Sequence, residues 1–312
     1  MSSTVFHADE LAAQTRAGVA TLRSGIRDFM PEQHRSFFAQ LPHILVAVKD
    51  AAGWPLATQL EGEPGFLTSP DPSMLRIRAL PGADDPAAGM VRVGDEIGIL
   101  GIDFETRRRN RANGIVSSRD ANGFTVVVRQ SFGNCPQYIQ RRAIVRAGTT
   151  PGRPREFCSL DDEARSLIQR ADTFFVASRS RADVGPAGGS DISHRGGRPG
   201  FVRIEDDTLF IPDFRGNRYF NTLGNLLGEP RAALLFADFE TGDLLQLQGL
   251  VSIDWGDSRA ALLQGAERVW QFRVTRGWYS PRAAASRGTL IDYSPVTLRT
   301  GTWTEELGAH SQ

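Results

Sequence analysis

Apolar positions switch from a helical to a strand period twice along this chain, in the same order each time. "PEQHRSFFAQL" puts Phe37, Phe38 and Leu41 on one helical face, with Pro31 where a first turn tolerates proline. It runs straight into "HILVAV", a β-rich run. Later, "LDDEARSLIQRA" offers Asp161 or Asp162 as N-cap and Ala164, Leu167, Ile168 and Ala171 as an apolar stripe, followed by "TFFVAS". After each pair come a Gly/Pro turn, a strand around "PGF", and a strand "SMLRIRAL" or "TLFIPDF". Then "DEIGILGID" or "AALLFAD" turns through "FET" into "ANGIVSS" or "LLQLQGLVSI", and "GFTVVVRQ" or "ERVWQFRV" closes the series. Six or so short strands with one or two helices predict a small antiparallel barrel, made twice. Residues 1–25 and 296–312 read as loosely ordered.

The two series align residue by residue. "DFET" at Asp103–Thr106 recurs at Asp238–Thr241, 135 positions on, and "GEPGFL" and "NGIVSS" fall on "GRPGFV" and "QGLVSI" at the same spacing. Upstream, "HRSFFAQLPHILVAV" lies over "ARSLIQRADTFFVAS" at a spacing of 130, and the difference sits in one loop, where "KDAAGW" meets the longer "RSRADVGPAGG". Loop tips absorb such insertions at little cost. The repeat is too long for a solenoid unit. It divides the 312 residues into a domain over 1–150 and a second over 151–312, with "AGTTPGRPREF" (147–157) as linker.

Composition narrows the function classes. Net charge is zero and the pI is near 7.0, which gives no global electrostatic case for nucleic acid or a membrane surface. No apolar run approaches the roughly 20 residues of a spanning helix, and the start lacks the pattern of a signal peptide. Cys135 and Cys158 make no disulfide framework, so a reducing cytoplasm is expected. Lys49 is the sole lysine among 36 basic residues, which reads as codon bias before it reads as a site.

Candidate chemistry lies where the copies differ. The second carries "PDFRGNRYFNTLGNLLGEPRAALLF", a strand, a turn with Arg215, Gly216, Asn217 and Arg218, and a helix containing Asn221. Guanidinium forks at a helix N-terminus make an anion cradle; alternatively this is a solvated turn whose arginines pair with Glu229 or Asp213. Arg195 stands on the preceding strand where the first copy has Leu60, and the first copy has an acidic turn with Asp84 and Asp85 in place of the arginine loop. In the first copy "TRRRNRANG" sends Arg107, Arg109 and Arg111 to one strand face and Arg108 to the other. That row points either to a bound anion or paired acids, or to a basic edge that blocks strand pairing. Asn134, Cys135 and Tyr138 follow in a loop and suit a planar ligand, although a buried structural cysteine is the commoner case. The five histidines and two cysteines have no metal-ligand spacing, and no metal is expected. There is no GxGxxG at a strand–helix junction, no P-loop and no nucleophile elbow.

Taken together, "DISHRGGRPGFVRI", "TLFIPDFRGNRYFNTLGNLLGEPRAALLF", "LLQLQG", "TRRRNRANG" and "SFGNCPQYIQRR" resemble the pyridoxamine 5′-phosphate oxidase-like FMN-binding split-barrel family, in a tandem two-barrel form over about residues 30–295. The resemblance implies a mainly β fold with flanking helices: two tandem split β-barrels forming a pseudo-dimer, with FMN between them. It implies that Ser193, Arg195, Asn217 and Arg218 hold the FMN phosphate, with Asn221 and Thr222 following in the helix turn. It puts Gln246 and Gln248 beneath the flavin, and Arg111, Asn113 and the Asn134–Cys135 loop at the ring from the facing barrel. The first copy's own phosphate site looks lost. The C-terminal arginine pattern of true pyridoxamine phosphate oxidases is not evident in "TGTWTEELGAHSQ", and no general acid is assigned. The expected function is an FMN-dependent oxidoreductase on a small-molecule substrate, with NAD(P)H or a separate reductase as electron donor, acting as a monomer or a homodimer. The alternatives are a non-catalytic flavin-binding or sensing protein, and a haem-binding split barrel with His194 as ligand.

Overall fold

The computed structural model describes residues 5–19, 24–148, 150–256 and 258–303. The first copy contributes α2 (Glu32–Gln40), β1 (His43–Lys49), β2 (Pro55–Glu61), β3 (Leu67–Thr68), β4 (Met74–Ile77), β5 (Glu96–Asp103), β6 (Arg108–Asp120), β7 (Gly123–Gly133) and β8 (Arg141–Arg146). The second contributes β9 (Arg155–Phe157), α3 (Asp162–Arg170), β10 (Thr173–Arg179), β11 (Ser190–Gly196), β12 (Arg203–Glu205), β13 (Thr208–Phe214), α4 (Asn221–Gly228), β14 (Arg231–Ala237), β15 (Leu244–Asp254), β16 (Ala266–Ser280) and β17 (Ser286–Asp292). The sheets run β2-β1-β5-β6-β7-β4-β3 and β11-β10-β14-β15-β16-β13-β12, so the second repeats the first with every strand advanced by nine. The protein is therefore mainly β, two tandem split barrels of one topology. β8 and β17, the last strand of each copy, leave their own barrels and pair antiparallel with each other.

Register verifies the sequence alignment. Ile44 faces Leu60 and Gly101 across the first sheet; Phe174 faces Arg195 and Phe236 across the second. Arg195 thus stands at the structural position of Leu60. β1 and β10 are buried along both faces, which explains their nearly unbroken apolar runs. Ile44, Val46 and Val48 fill the first barrel's core, while Leu45 and Ala47 turn outward to meet Phe175, Ala177, Ile192 and Leu235 in a third core between the barrels.

The duplicated "DFET" is a turn with a second task. Asp103 Oδ1 accepts from the amides of Glu105 (2.9 Å) and Thr106 (3.4 Å), and Asp238 Oδ1 does the same for Glu240 (2.9 Å) and Thr241 (3.1 Å). Phe104 and Phe239 then meet edge-on with centroids 5.0 Å apart, one from each copy.

Two local expectations are corrected. Residues 8–16, read as loose chain, form α1 (Ala8–Arg16), which packs on α4; Thr297 and Trp303 near the other end are buried, while residues 1–4, 20–23 and 304–312 lie outside the described residues. Arg107 is not on the arginine strand. It sits in the preceding turn at φ 57°, donates to the Ile139 carbonyl (2.9 Å) and pairs with Asp292.

Candidate functional site

The pseudo-twofold relation makes two clefts, each between the edge strand of one barrel and the long hairpin of the other. In the first, β15 faces β2. In the second, β6 faces β11. Both edge strands have backbone carbonyls left over by their own sheets, and both are capped by side chains from the opposite barrel. Gln246 Nε2 donates to the Ala57 carbonyl (3.0 Å) and Gln248 Nε2 to that of Pro55 (3.0 Å). At the matching position of the second cleft, Arg111 Nε donates to the Ile192 carbonyl (3.0 Å).

This geometry corrects the sequence reading of Gln246 and Gln248. They are the counterparts of Arg111 and Asn113, and they belong to the first cleft, away from Arg195 and Arg218. Alignment identified the strand but not the barrel it faces.

Eight of the twelve expected binding residues come together on one cavity of about 100 Å³ in the second cleft: Ser193, Arg195, Asn217, Arg218, Asn221, Thr222, Arg111 and Asn134. Asn113 lies further along the same face of β6, lining the next depression with Gln130 and Ser190. It donates to Asp191 Oδ1 (3.0 Å) and accepts from the Ile99 amide (3.1 Å). Cys135 is half-buried and is not among the residues lining the cavity; its carbonyl accepts from Arg109 Nε (3.1 Å).

The arginine loop is shaped for this position. Arg218 and Phe220 both adopt φ near +60°, which side-chain-bearing residues avoid unless their surroundings hold them. Arg218 is held by Glu267, and Phe220 by the Arg268 guanidinium, 5.1 Å over its ring. Asn217 Oδ1 accepts from the Tyr219 amide (3.1 Å), fixing the turn before α4. On the other wall, the Asn134–Tyr138 segment crosses so close to Gly196 that any Cβ there would collide with the Tyr138 carbonyl. Tyr138 Oη donates to the Arg215 carbonyl (3.0 Å), joining the loops of the two copies, and burial followed by Asp213 pushes its phenol up to about 12.

The arginines are partly neutralised. Arg195 pairs with Asp213 (2.5 Å), which also receives Arg268, and Arg218 pairs with Glu267. The reading in which the turn's own arginines pair with Glu229 or Asp213 is therefore corrected: Arg218 takes Glu267, Asp213 takes Arg195 and Arg268 from the neighbouring strands, and Glu229 pairs with Arg231 (2.7 Å). Even so, four arginines line the cavity against two carboxylates. The excess rests on Arg109, whose partners are the carbonyls of Cys135 and His194 (3.4 Å). Burial, then the nearby Arg111 and Arg195, lowers its guanidinium to about 9, so it remains charged at neutral pH. Arg111 reaches Asn221 Oδ1 (3.2 Å), Ser193 Oγ and Asp191 (3.3 Å). Thr222 Oγ1 donates to Ser193 Oγ (2.8 Å). The buried Nε atoms of Arg195 and Arg218 and the buried Asn134 Oδ1 have no hydrogen-bond partner among the described residues.

His194 borders the cavity while its ring lies edge-on to Phe175 of the core between the barrels; neither ring nitrogen has a hydrogen-bond partner among the described residues, and burial with Arg109, Arg142 and Arg195 holds it well below the usual imidazole range.

The first cleft shares the edge-strand cap but differs in the residues around it. Leu60 is 2% exposed in the barrel core, and Thr58, the counterpart of Ser193, donates to Asp85 Oδ2. Asp85 Oδ1 accepts from the Ala87 amide (2.7 Å) and from Gln246 (3.4 Å), and burial raises its carboxyl. A carboxylate of the chain itself occupies this cleft.

The second cleft gathers the hydroxyls of Ser193 and Thr222, linked to each other and to Asp191, with the guanidinium groups of Arg195 and Arg218 and the side-chain amide of Asn221. Ligand pockets for cofactor-sized molecules measure about 300–1,000 Å³, so this cavity of about 100 Å³ is too small for a whole cofactor.

No protein-family model matches the chain, and no curated protein matches it. The solved structures it resembles are pyridoxamine 5′-phosphate oxidase-like split-barrel proteins, each over about 40% of the chain. Among them are a putative pyridoxamine 5′-phosphate oxidase from Lactobacillus delbrueckii (16% identity, 38% of this chain and 93% of that one, TM-score 0.29) and an FAD-binding protein from Mesorhizobium loti (9%, 41% and 97%, TM-score 0.28). A third is the haem storage protein HutZ from Vibrio cholerae (12%, 39% and 94%, TM-score 0.26). At these values the likeness carries no argument about ligand or activity.

Proposed function

We propose that the protein is an FMN-dependent oxidoreductase that binds one FMN per chain in the second cleft, its phosphate on the second copy and its ring toward the first. The observation that carries this reading is the charge difference between two clefts of one design. A neutral amide is enough to cap an edge strand, as Gln246 shows; the second cleft has a guanidinium there, and Arg109, Arg195 and Arg218 besides. An excess of cation that the fold does not require is the signature of an anionic ligand. Arg195, Arg218, Ser193 and Thr222 would hold the phosphate, and Arg111 and Asn113 would turn from β11 to the ring. When bound, FMN supplies hydride or electron transfer, and the residues around it supply position and field. Free Cys135 and Cys158 suit a reducing cytoplasm. Among the described residues, no helix is long and apolar enough to cross a membrane.

The visible spectrum of the purified protein is the first test. A flavin band with FMN released by heat supports the proposal; FAD as the main released species, or a Soret band, overturns it. Anaerobic titration with NADH and NADPH then separates an enzyme from a flavin sensor: an enzyme reduces its flavin faster than free FMN is reduced.

A further inference from the structure

α1 lies across the start of α4 and buries an acid there. Glu10 is 3% exposed. Its Oε1 accepts from Asn221 Nδ2 (2.5 Å) and its Oε2 from the His7 amide (3.0 Å). Asn221 is shared: its Oδ1 accepts from Arg111 Nη1, and the residue lines the cavity. No arginine among the described residues bonds Glu10 directly. Among the described residues, the charged and titratable groups around it are His7 from its own helix (Nε2 3.8 Å away), Asp191 from β11 and Arg111 from β6; α4 carries no charged side chain. Burial lowers the His7 imidazole, so it is neutral near pH 7.

We propose that Glu10 is a positioning residue that makes this cleft's anion binding proton-linked: an anion beside Arg111 is taken up together with a proton on the Glu10 carboxyl. The inference rests on the anion site proposed above. A charged Glu10 competes, through Asn221, for the field of Arg111; a neutral Glu10 leaves that field to the ligand. Linkage then requires the converse, that a bound anion raises the affinity of Glu10 for its proton. Burial, with a smaller push from Asp191, already lifts the carboxyl to about 7, so the exchange falls in the neutral range. The first cleft shows the alternative outcome. There Asp85 meets no arginine among the described residues and fills the anion position itself.

Sulfate, a dianion throughout the neutral range, is the probe, with FMN measured in parallel. The wild-type affinity for sulfate should fall about tenfold between about pH 6 and about pH 8.5. Glu10→Gln should bind at the wild-type acid-limit affinity across that range. Calorimetry at pH 7 in buffers of different ionisation enthalpy should show proton uptake with wild type and none with Glu10→Gln. Binding without pH dependence or proton uptake overturns the role of Glu10 alone. Absence of sulfate and FMN binding at every pH overturns the anion site as well. If Glu10→Gln does not fold, proton uptake by the wild type still decides.

Discussion

The two clefts solve one structural problem and differ in what they add to it. Each must satisfy the carbonyls of an edge strand with side chains from the other barrel. The first does so with Gln246 and Gln248, then fills the remaining space with its own Asp85. The second does so with Arg111, which burial makes costly, and surrounds it with further arginines. A buried cation held only by carbonyls, such as Arg109, contributes little to stability. The comparison teaches which groups answer to the fold and which answer to a ligand: subtracting the first cleft from the second leaves Arg109, Arg111, Arg195 and Arg218.

Exchanging the copies' residues breaks the comparison most strongly. Leu60→Arg should destabilise by about 3–5 kcal/mol, because it buries an unpaired charge in the first barrel's core. The reverse change, Arg195→Leu, leaves Asp213 its bond to Arg268 and should cost at most about 2 kcal/mol. Urea midpoints of the two variants measure this. Equal losses would mean the positions are equivalent in environment and not only in register.

Ligand affinity comes next. Arg218→Ala and Arg195→Ala should each weaken FMN binding by about ten- to a hundredfold, the worth of a charge-assisted bond to phosphate. Lysine at either position should restore only part of it, because the fork is lost. Unchanged FMN affinity in both alanine variants would remove the second cleft from consideration.

Much of this was legible in the sequence, for reasons that particular residues show. Alternation put Arg109 and Arg111 on one strand face, and Arg108 does turn the other way, over Phe37. Alignment exposed Arg195 against Leu60 because register is conserved wherever one face of a strand is buried. α1 was illegible because its buried face holds Glu10, Ala13 and Gln14, so there is no apolar stripe to find. Arg107 was misplaced because strand periodicity does not reveal where a turn ends. The clefts of Gln246 and Arg111 were merged because the pairing of a strand with the opposite barrel is a property of the pseudo-twofold axis, which no local pattern encodes.

A subtler change sharpens the comparison through pH. Burial raises Asp85 above its ordinary carboxylate range, so the folded protein holds that proton more tightly than the unfolded chain. The sign follows: stability from this group is full below the unfolded value near 3.8 and is lost as pH rises through the folded one. Asp85→Asn removes that titration, so the variant should gain on the wild type as pH rises from about 4 toward neutral, read from urea midpoints across the range. No second FMN should bind, because removing the acid supplies no arginine. A gap between variant and wild type that does not change with pH would contradict the assignment.

The smallest expected effect tests the corrected placement of the glutamines. Gln246→Leu and Gln248→Leu should leave FMN affinity within about twofold of wild type, since both side chains bond to β2 in the first cleft. Each should lower stability by about 1 kcal/mol, the net worth of one hydrogen bond to a backbone carbonyl. Arg111→Leu removes the counterpart bond and a cation beside the proposed ligand, so it should lower both stability and FMN affinity. The contrast isolates ligand binding from edge capping, because all three substitutions uncap an edge strand and one alone changes the charge of the second cleft. If either glutamine variant loses FMN as strongly as Arg111→Leu does, the flavin spans the first cleft and the division of labour between the two is wrong.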